Sequence, residues 1–144
     1  MTEEPVFTNS IRIEVEWGDC DPADIVYYPN FFRWFNKGAH MLFDAVGLPF
    51  HRLIKERNTV GVPLLDARAT FLAPVRFGDV ITVTSGIEEW RNTSFVVSHR
   101  IFNGDVLSVE GQEIRVWVMR DPDSPKGLRA VAVPDDIKKR FFES

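Results

Sequence analysis

The chain has 144 residues, 44% of them hydrophobic, which suits a single domain with an ample core. Its net charge of −4 and pI near 5.4 exclude a general nucleic-acid or anionic-membrane surface, while a local basic cluster could still hold one anionic ligand. One cysteine, Cys20, cannot form an intrachain disulfide, and no apolar stretch approaches the ~20 residues that span a bilayer.

The N-terminal Met-Thr-Glu-Glu-Pro run has no basic region followed by an apolar one, so no signal peptide is expected. A soluble cytoplasmic protein is the simplest expectation. Residues 11–17, Ile-Arg-Ile-Glu-Val-Glu-Trp, alternate apolar and charged, which predicts a strand with one buried face. Gly18-Asp19-Cys20-Asp21-Pro22 stops that strand and turns the chain. From Pro29 to about Val46, Phe31, Phe32, Trp34, Phe35, Ala39, Leu42, Phe43 and Val46 recur at three- and four-residue steps. That spacing predicts a helix of roughly five turns with a wide apolar face, stopped by Gly47 and Pro49. A short helix is expected over 50–58. Strands then follow near 64–73, 79–90, 93–103, 106–119 and 128–133, with Asn103-Gly104-Asp105 as a tight-hairpin signal. A last helix runs from about Pro134 to Phe142. A long antiparallel sheet of this kind needs one apolar helix to cover its buried face, so an α+β domain over 1–144, with the sheet wrapped around a central helix, is the economical solution.

The segment from Trp17 to Asn30 carries the chemistry. Asp19, Asp21 and Asp24 sit between the first strand and the start of the long helix. One reading is a solvated, Asx-rich turn. The other is a reactive carboxylate: Pro22 holds Asp21 extended, and Ile25-Val26-Tyr27-Tyr28 are apolar enough to desolvate it. A carboxylate beside the unpaired N–H groups of a helix start is the minimum equipment for acyl transfer. Other schemes lack their parts. There is no Gly-x-Ser-x-Gly elbow and no phosphate-cradling glycine loop, and Cys20 has no basic partner, so it reads as a small buried residue. His40, His51 and His99 show no metal-ligand spacing, so no metal is expected, and His40 reads as a surface or helix-packing residue. Trp90-Arg91-Asn92-Thr93-Ser94 is either an exposed hairpin turn or a phosphate contact with Arg76 and Arg100 as helpers.

Gly18-Asp19-Cys20-Asp21-Pro22-Ala23, with Ile25-Val26 and Tyr28-Pro29-Asn30, resembles the signature of the 4-hydroxybenzoyl-CoA thioesterase family of hot-dog-fold proteins. Gly47-Leu48-Pro49, Glu89-Trp90-Arg91 with Ser94-Phe95, and Glu113-Ile114-Arg115-Val116 extend the likeness over about residues 10–140. The resemblance implies a hot-dog fold, pairing into dimers or dimers of dimers (a homotetramer), and an active site at the subunit interface. It implies Asp21 as the nucleophile or general base, the Tyr28 backbone N–H as the oxyanion donor, and Arg91 as a contact to the CoA phosphates. Tyr27, Asn36 and Ser94 join Arg91 as expected substrate contacts. The implied activity is hydrolysis of an aromatic acyl-CoA, 4-hydroxybenzoyl-CoA or a related ester, to the acid and CoA. No cofactor beyond the CoA of the substrate is implied. The alternatives are a short- or medium-chain aliphatic acyl-CoA thioesterase and a non-catalytic acyl-CoA-binding hot-dog protein. A hot-dog dehydratase would need a histidine near the helix start, and His40 is too far along. Three departures stand out: Asp24 replaces a common glycine, Asn92 and Thr93 stand where the aryl-CoA enzyme is more basic, and Asn36 stands where that enzyme has an aspartate near the substrate's phenol.

Overall fold

The computed structural model describes residues 7–142. The N-terminal run read for a signal peptide lies outside them. Five strands form one antiparallel sheet: β1 (Thr8–Glu14), β2 (Leu64–Phe71), β3 (Val80–Trp90), β4 (Ser94–Asn103) and β5 (Val106–Val116), in the order β1-β3-β4-β5-β2. One face of the sheet wraps around α1 (Pro29–Ala45), as the alternation and helical spacing predict. This is the hot-dog arrangement. Two shorter helices, α2 (Phe50–Glu56) and α3 (Asp135–Phe142), and a small β6–β7 pair (Val118–Arg120 with Leu128–Ala130) complete it.

The core is the contact between α1 and the inner face of the sheet. Phe31, Trp34, Phe35, Ala39, Leu42 and Phe43 of the helix are buried against Ile81, Val83, Phe95, Val97, Ile101 and Val109. Two glycines permit the close approach. A Cβ on Gly38 would lie 2.5 Å from Ser85 Oγ, and one on Gly111 would overlap the Phe35 ring and the Arg68 carbonyl. The 103–105 hairpin forms as its sequence predicts, with Gly104 at φ 62 between paired Asn103 and Val106.

The element bounds differ most from the sequence reading in three places, each for a local reason. The first strand occupies 8–14 rather than 11–17, because Glu16 and Asp19 form a capping box that coils Trp17–Asp19 into a 3-10 turn. Trp17 is thereby 73% exposed and packs edge-on against Phe77. The expected 106–119 strand breaks at Trp117, whose N–H turns to the Thr93 carbonyl, and Val118–Arg120 pairs with β7 instead. The last strand, expected over 128–133, is reduced to Leu128–Ala130 for the same reason: its partner β6 has three residues.

Candidate active site

The loop between β1 and α1 is held together by Asp19. Its carboxylate accepts from the Glu16 N–H (2.9 Å) and from Arg33 (3.1 Å), and its carbonyl accepts from the Tyr27 N–H and the Asn30 side chain, both at 2.9 Å. Asp19 is therefore the turn-shaping member of the three carboxylates. Asn30, which the sequence reading took as part of the Tyr28-Pro29-Asn30 motif at the helix start, is the side chain that ties the first turn of α1 to this loop.

Asp21 opens a tight turn. Its N–H pairs with the Ile25 carbonyl, its carbonyl accepts from the Asp24 N–H, and its Oδ1 accepts from the Ala23 N–H at 2.8 Å. Among the described residues nothing donates to its other oxygen. The expectation of a desolvated carboxylate is not met in the single chain, where Asp21 is half-exposed. Asp24 closes the turn at φ 68, the left-handed conformation that explains why glycine is common there in the family it resembles. Cys20, expected to be buried, is half-exposed; partial burial and the charges of Asp24 and Asp19 hold its thiol above the usual range, so it is not an activated nucleophile.

Tyr28 precedes α1, and Pro29 stands in the first turn. Around it the backbone is committed: Tyr27 N–H to Asp19, Asn30 N–H to Tyr27, Phe31 N–H to Tyr28. The Tyr28 N–H has no acceptor among the described residues. It is an open donor at the positive end of a 17-residue helix, in the loop that carries Asp21. The Tyr28 ring, beside those of Tyr27 and Phe71, borders an apolar groove of about 260 Å³ whose other walls include Ile25, Phe31 and Leu72.

The remaining expected site residues lie elsewhere. Asp21, Tyr27 and Tyr28 sit at the Asp79 end of the sheet, where Val15 pairs with Asp79 and Val26 with Val75. Arg91 and Ser94 sit at the opposite end of β3, a strand of 11 residues, so roughly 30 Å away. Arg91 is exposed and paired with Glu89 at 2.9 Å. Asn36 lies between the two groups: it stands two turns into α1, about 12 Å along the helix from Tyr28, and its side chain accepts from Arg115, which is in register with Leu64 and Phe95. Of the suggested phosphate helpers, Arg76 lies by Asp24 at the first end and Arg100 lies mid-strand on the outer face of β4, so the three arginines do not converge within one chain.

A second polar constellation, absent from the sequence reading, lies buried beneath α1. Ser85, His99 and Glu113 are at most 2% exposed and stand on neighbouring strands. Ser85 Oγ is 2.7 Å from His99 Nδ1, and His99 Nε2 is 2.7 Å from Glu113 Oε1. Arg115 donates to both Glu113 oxygens (3.2 and 2.9 Å), to the Val62 carbonyl (3.0 Å) and to Asn36 Oδ1 (3.0 Å). Burial holds His99 below its ordinary value and therefore neutral. The carboxylate accepts only, so Nε2 carries the ring proton and Nδ1 accepts from Ser85. Burial pushes Glu113 up, but the His99 hydrogen bond and the Arg115 guanidinium outweigh it and leave it lowered. The order Ser–His–acid looks like a hydrolase triad. Yet no substrate can reach it, and Phe35 lies flat on the His99 ring at 4.7 Å. Its signal in the sequence is parity: His99 shares the inward positions of Phe95, Val97 and Ile101. His40, by contrast, lies exposed on α1 against Phe50, as expected. Among the described residues no histidine, cysteine and carboxylate cluster could hold a metal ion.

Fold and loop together define a hot-dog protein with a carboxylate and an open helix-start donor. The profile of the Thioesterase-like superfamily matches residues 15–141, and the chain belongs to that superfamily. Among its relatives, the 4-hydroxybenzoyl-CoA thioesterase of Pseudomonas sp. (strain CBS-3) is 40% identical over 133 residues, 88% of this chain and 92% of that protein. An Asp-to-Asn mutant of 4-hydroxybenzoyl-CoA thioesterase complexed with 4-hydroxybenzoyl-CoA superposes with a TM-score of 0.85 at 34% identity, over 92% of this chain and 97% of the other. A gentisyl-coenzyme A thioesterase superposes at 0.79 with 28% identity, covering 93% and 99%.

Proposed function

We propose that this chain is an aryl-CoA thioesterase, hydrolysing 4-hydroxybenzoyl-CoA or a related aromatic ester to the free acid and CoA. The observation that carries the reading is the unpaired Tyr28 N–H in the loop whose Asp21 has one oxygen anchored and the other open. The thioester carbonyl oxygen accepts from the Tyr28 N–H, where the α1 dipole favours the developing oxyanion; a donor of this kind contributes about 3 kcal/mol. Asp21 either attacks the carbonyl carbon, expelling CoA thiolate and leaving a mixed anhydride for water to cleave, or takes a proton from the attacking water. The reaction needs no cofactor, since CoA belongs to the substrate. The aryl-CoA relatives, 40% and 34% identical, favour an aromatic acyl group.

The working unit is a homodimer, or a dimer of dimers, paired through β2. The sheet has two edges. β1 turns Thr8, Ser10, Arg12 and Glu14 to solvent, whereas Leu64, Leu65, Phe71 and the adjoining Leu72 are exposed along β2. An uncovered apolar edge strand is a pairing site. Antiparallel, two-fold pairing sets the Leu64 end of one β2 beside the Phe71 end of the other. That brings Arg91 and Ser94 of one copy to the Asp21–Tyr28 end of its mate and joins the two groups that one chain keeps apart. Arg91 then contacts the CoA phosphates, and Tyr27 and Ser94 line the substrate's path. The described residues contain no helix long and apolar enough to cross a membrane, and we place the protein in the cytoplasm on its single cysteine.

A thiol-release assay over benzoyl-, hydroxybenzoyl- and aliphatic acyl-CoA esters tests the reading. Aromatic esters are expected to turn over fastest, with Asp21→Asn lowering kcat by about three orders of magnitude while ester binding persists. Faster turnover of aliphatic esters would move the substrate class, and binding without any turnover would make the protein an acyl-CoA binder.

A further inference from the structure

The start of α1 is left uncapped. Its N-cap is Tyr28, and no side chain bonds there. In a capping box the residue at the third helical position reaches back to the N-cap N–H. The chain forms that box at Trp17–Asp19, where Asp19 accepts from the Glu16 N–H at 2.9 Å. At α1 the third position is Phe31, which is buried and has no acceptor to offer. Pro29 has no N–H, and those of Asn30 and Phe31 go to the Tyr27 and Tyr28 carbonyls. One donor at the helix start, that of Tyr28, stays open among the described residues.

An open donor stabilises a developing charge only if it is held in place. The 19–27 segment is a short hairpin. The Tyr27 N–H bonds to the Asp19 carbonyl and the Asp21 N–H to the Ile25 carbonyl, each at 2.9 Å, with Cys20 bridged to Val26 between them. Asp21 stands on one leg, and Tyr28 follows the other. Asn30 crosses from the helix to the first leg and donates Nδ2 to the same Asp19 carbonyl at 2.9 Å. Among the described residues its Oδ1 takes no donor, so this is the one polar contact of the side chain there. Arg33, a turn further on, also reaches Asp19, but it is exposed and water competes for it.

We propose that Asn30 is a positioning residue for the oxyanion donor: by tying the first turn of α1 to the Asp19 carbonyl, it fixes the Tyr28 N–H relative to the leg that carries Asp21. This rests on the thioesterase reading above, in which that N–H meets the thioester oxygen. Asn30 acts through the backbone two residues before it and takes no part in bond cleavage.

The test is single-turnover hydrolysis of 4-hydroxybenzoyl-CoA by Asn30→Ala, alone and combined with Tyr28→Pro, which removes the donor itself. In Asn30→Ala the Asp19 carbonyl keeps the Tyr27 N–H, so no acceptor is orphaned. Alone, the change is expected to slow the chemical step about tenfold, while the half-saturating ester concentration stays within about threefold. In the Tyr28→Pro background it is expected to change the rate by less than about twofold, because no donor is left to aim. Asn30→Leu, close to asparagine in size but without the amide, is expected to repeat both results. A rate within about twofold of wild type in either single variant overturns the assignment. Equal slowing with and without the Tyr28 donor also overturns it, since that marks a purely structural role. In both cases turnover by the wild type leaves the thioesterase reading standing. Wild-type protein that hydrolyses no acyl-CoA ester removes that reading, and the assignment with it.

Discussion

Two regions of this molecule hold a carboxylate among hydrogen-bond donors, and they are built in opposite ways. Beneath α1, Glu113 is 2% exposed, and its oxygens are taken up by His99 and Arg115. At the start of α1, Asp21 is half-exposed, and among the described residues only one of its oxygens is used and the Tyr28 N–H is not used at all. The buried chain has every valence filled and can only hold a shape. The loop keeps one acceptor and one donor open, and unfilled valence is what a reacting substrate requires. Chemical composition alone would have ranked them the other way, since Ser–His–Glu is the more suggestive set.

The contrast predicts that damage to the two regions reads out differently. Arg115→Met strips Glu113 of its cation and leaves a buried, half-paired carboxylate, so the expected cost is about 3–5 kcal/mol of folding stability in a denaturant titration. A loss under 1 kcal/mol would mean that the buried chain is not a fixed support. Asp24→Gly is a smaller and opposite effect. Asp24 sits at φ 68, where an L-residue is strained and glycine is not, so the change should raise stability by about 0.5–1 kcal/mol, a few degrees in Tm. It also removes a charge that raises the Cys20 thiol, so alkylation of Cys20 should become faster at a given pH. A lower Tm would show that Asp24 holds the turn by a contact outweighing the strain.

Much of the fold was legible because its signals are local. The α1 stripe, the Asn103-Gly104-Asp105 turn and the alternation of β1 each state their own geometry within a few residues. The loop was legible as a motif whose resemblance already set Asp21 apart from Asp19, and the hydrogen bonds that Asp19 accepts supply the physical reason. Two features lay out of reach for one reason, strand register. Ser85, His99 and Glu113 stand 14 residues apart in turn and meet only because β3, β4 and β5 pair as they do. The same register puts Arg91 at the far end of the sheet from Asp21, although both were read as parts of one site. The resemblance implied a site at the subunit interface, but only the register says which of its residues one chain keeps apart.

The central claim is that the open N–H of Tyr28 is the electrophilic half of the site, and one pair of variants addresses it directly. Tyr28 has φ −55, which proline adopts without strain, and its N–H bonds to nothing among the described residues. Tyr28→Pro therefore deletes the donor without breaking a hydrogen bond of the fold, and Tyr28→Ala removes the ring but keeps the donor. In single-turnover hydrolysis of 4-hydroxybenzoyl-CoA, Tyr28→Pro is expected to be about 10²-fold slower than Tyr28→Ala, equivalent to the ~3 kcal/mol of one oxyanion donor, with Tm values that agree within a few degrees. Equal rates for the two variants would contradict the account.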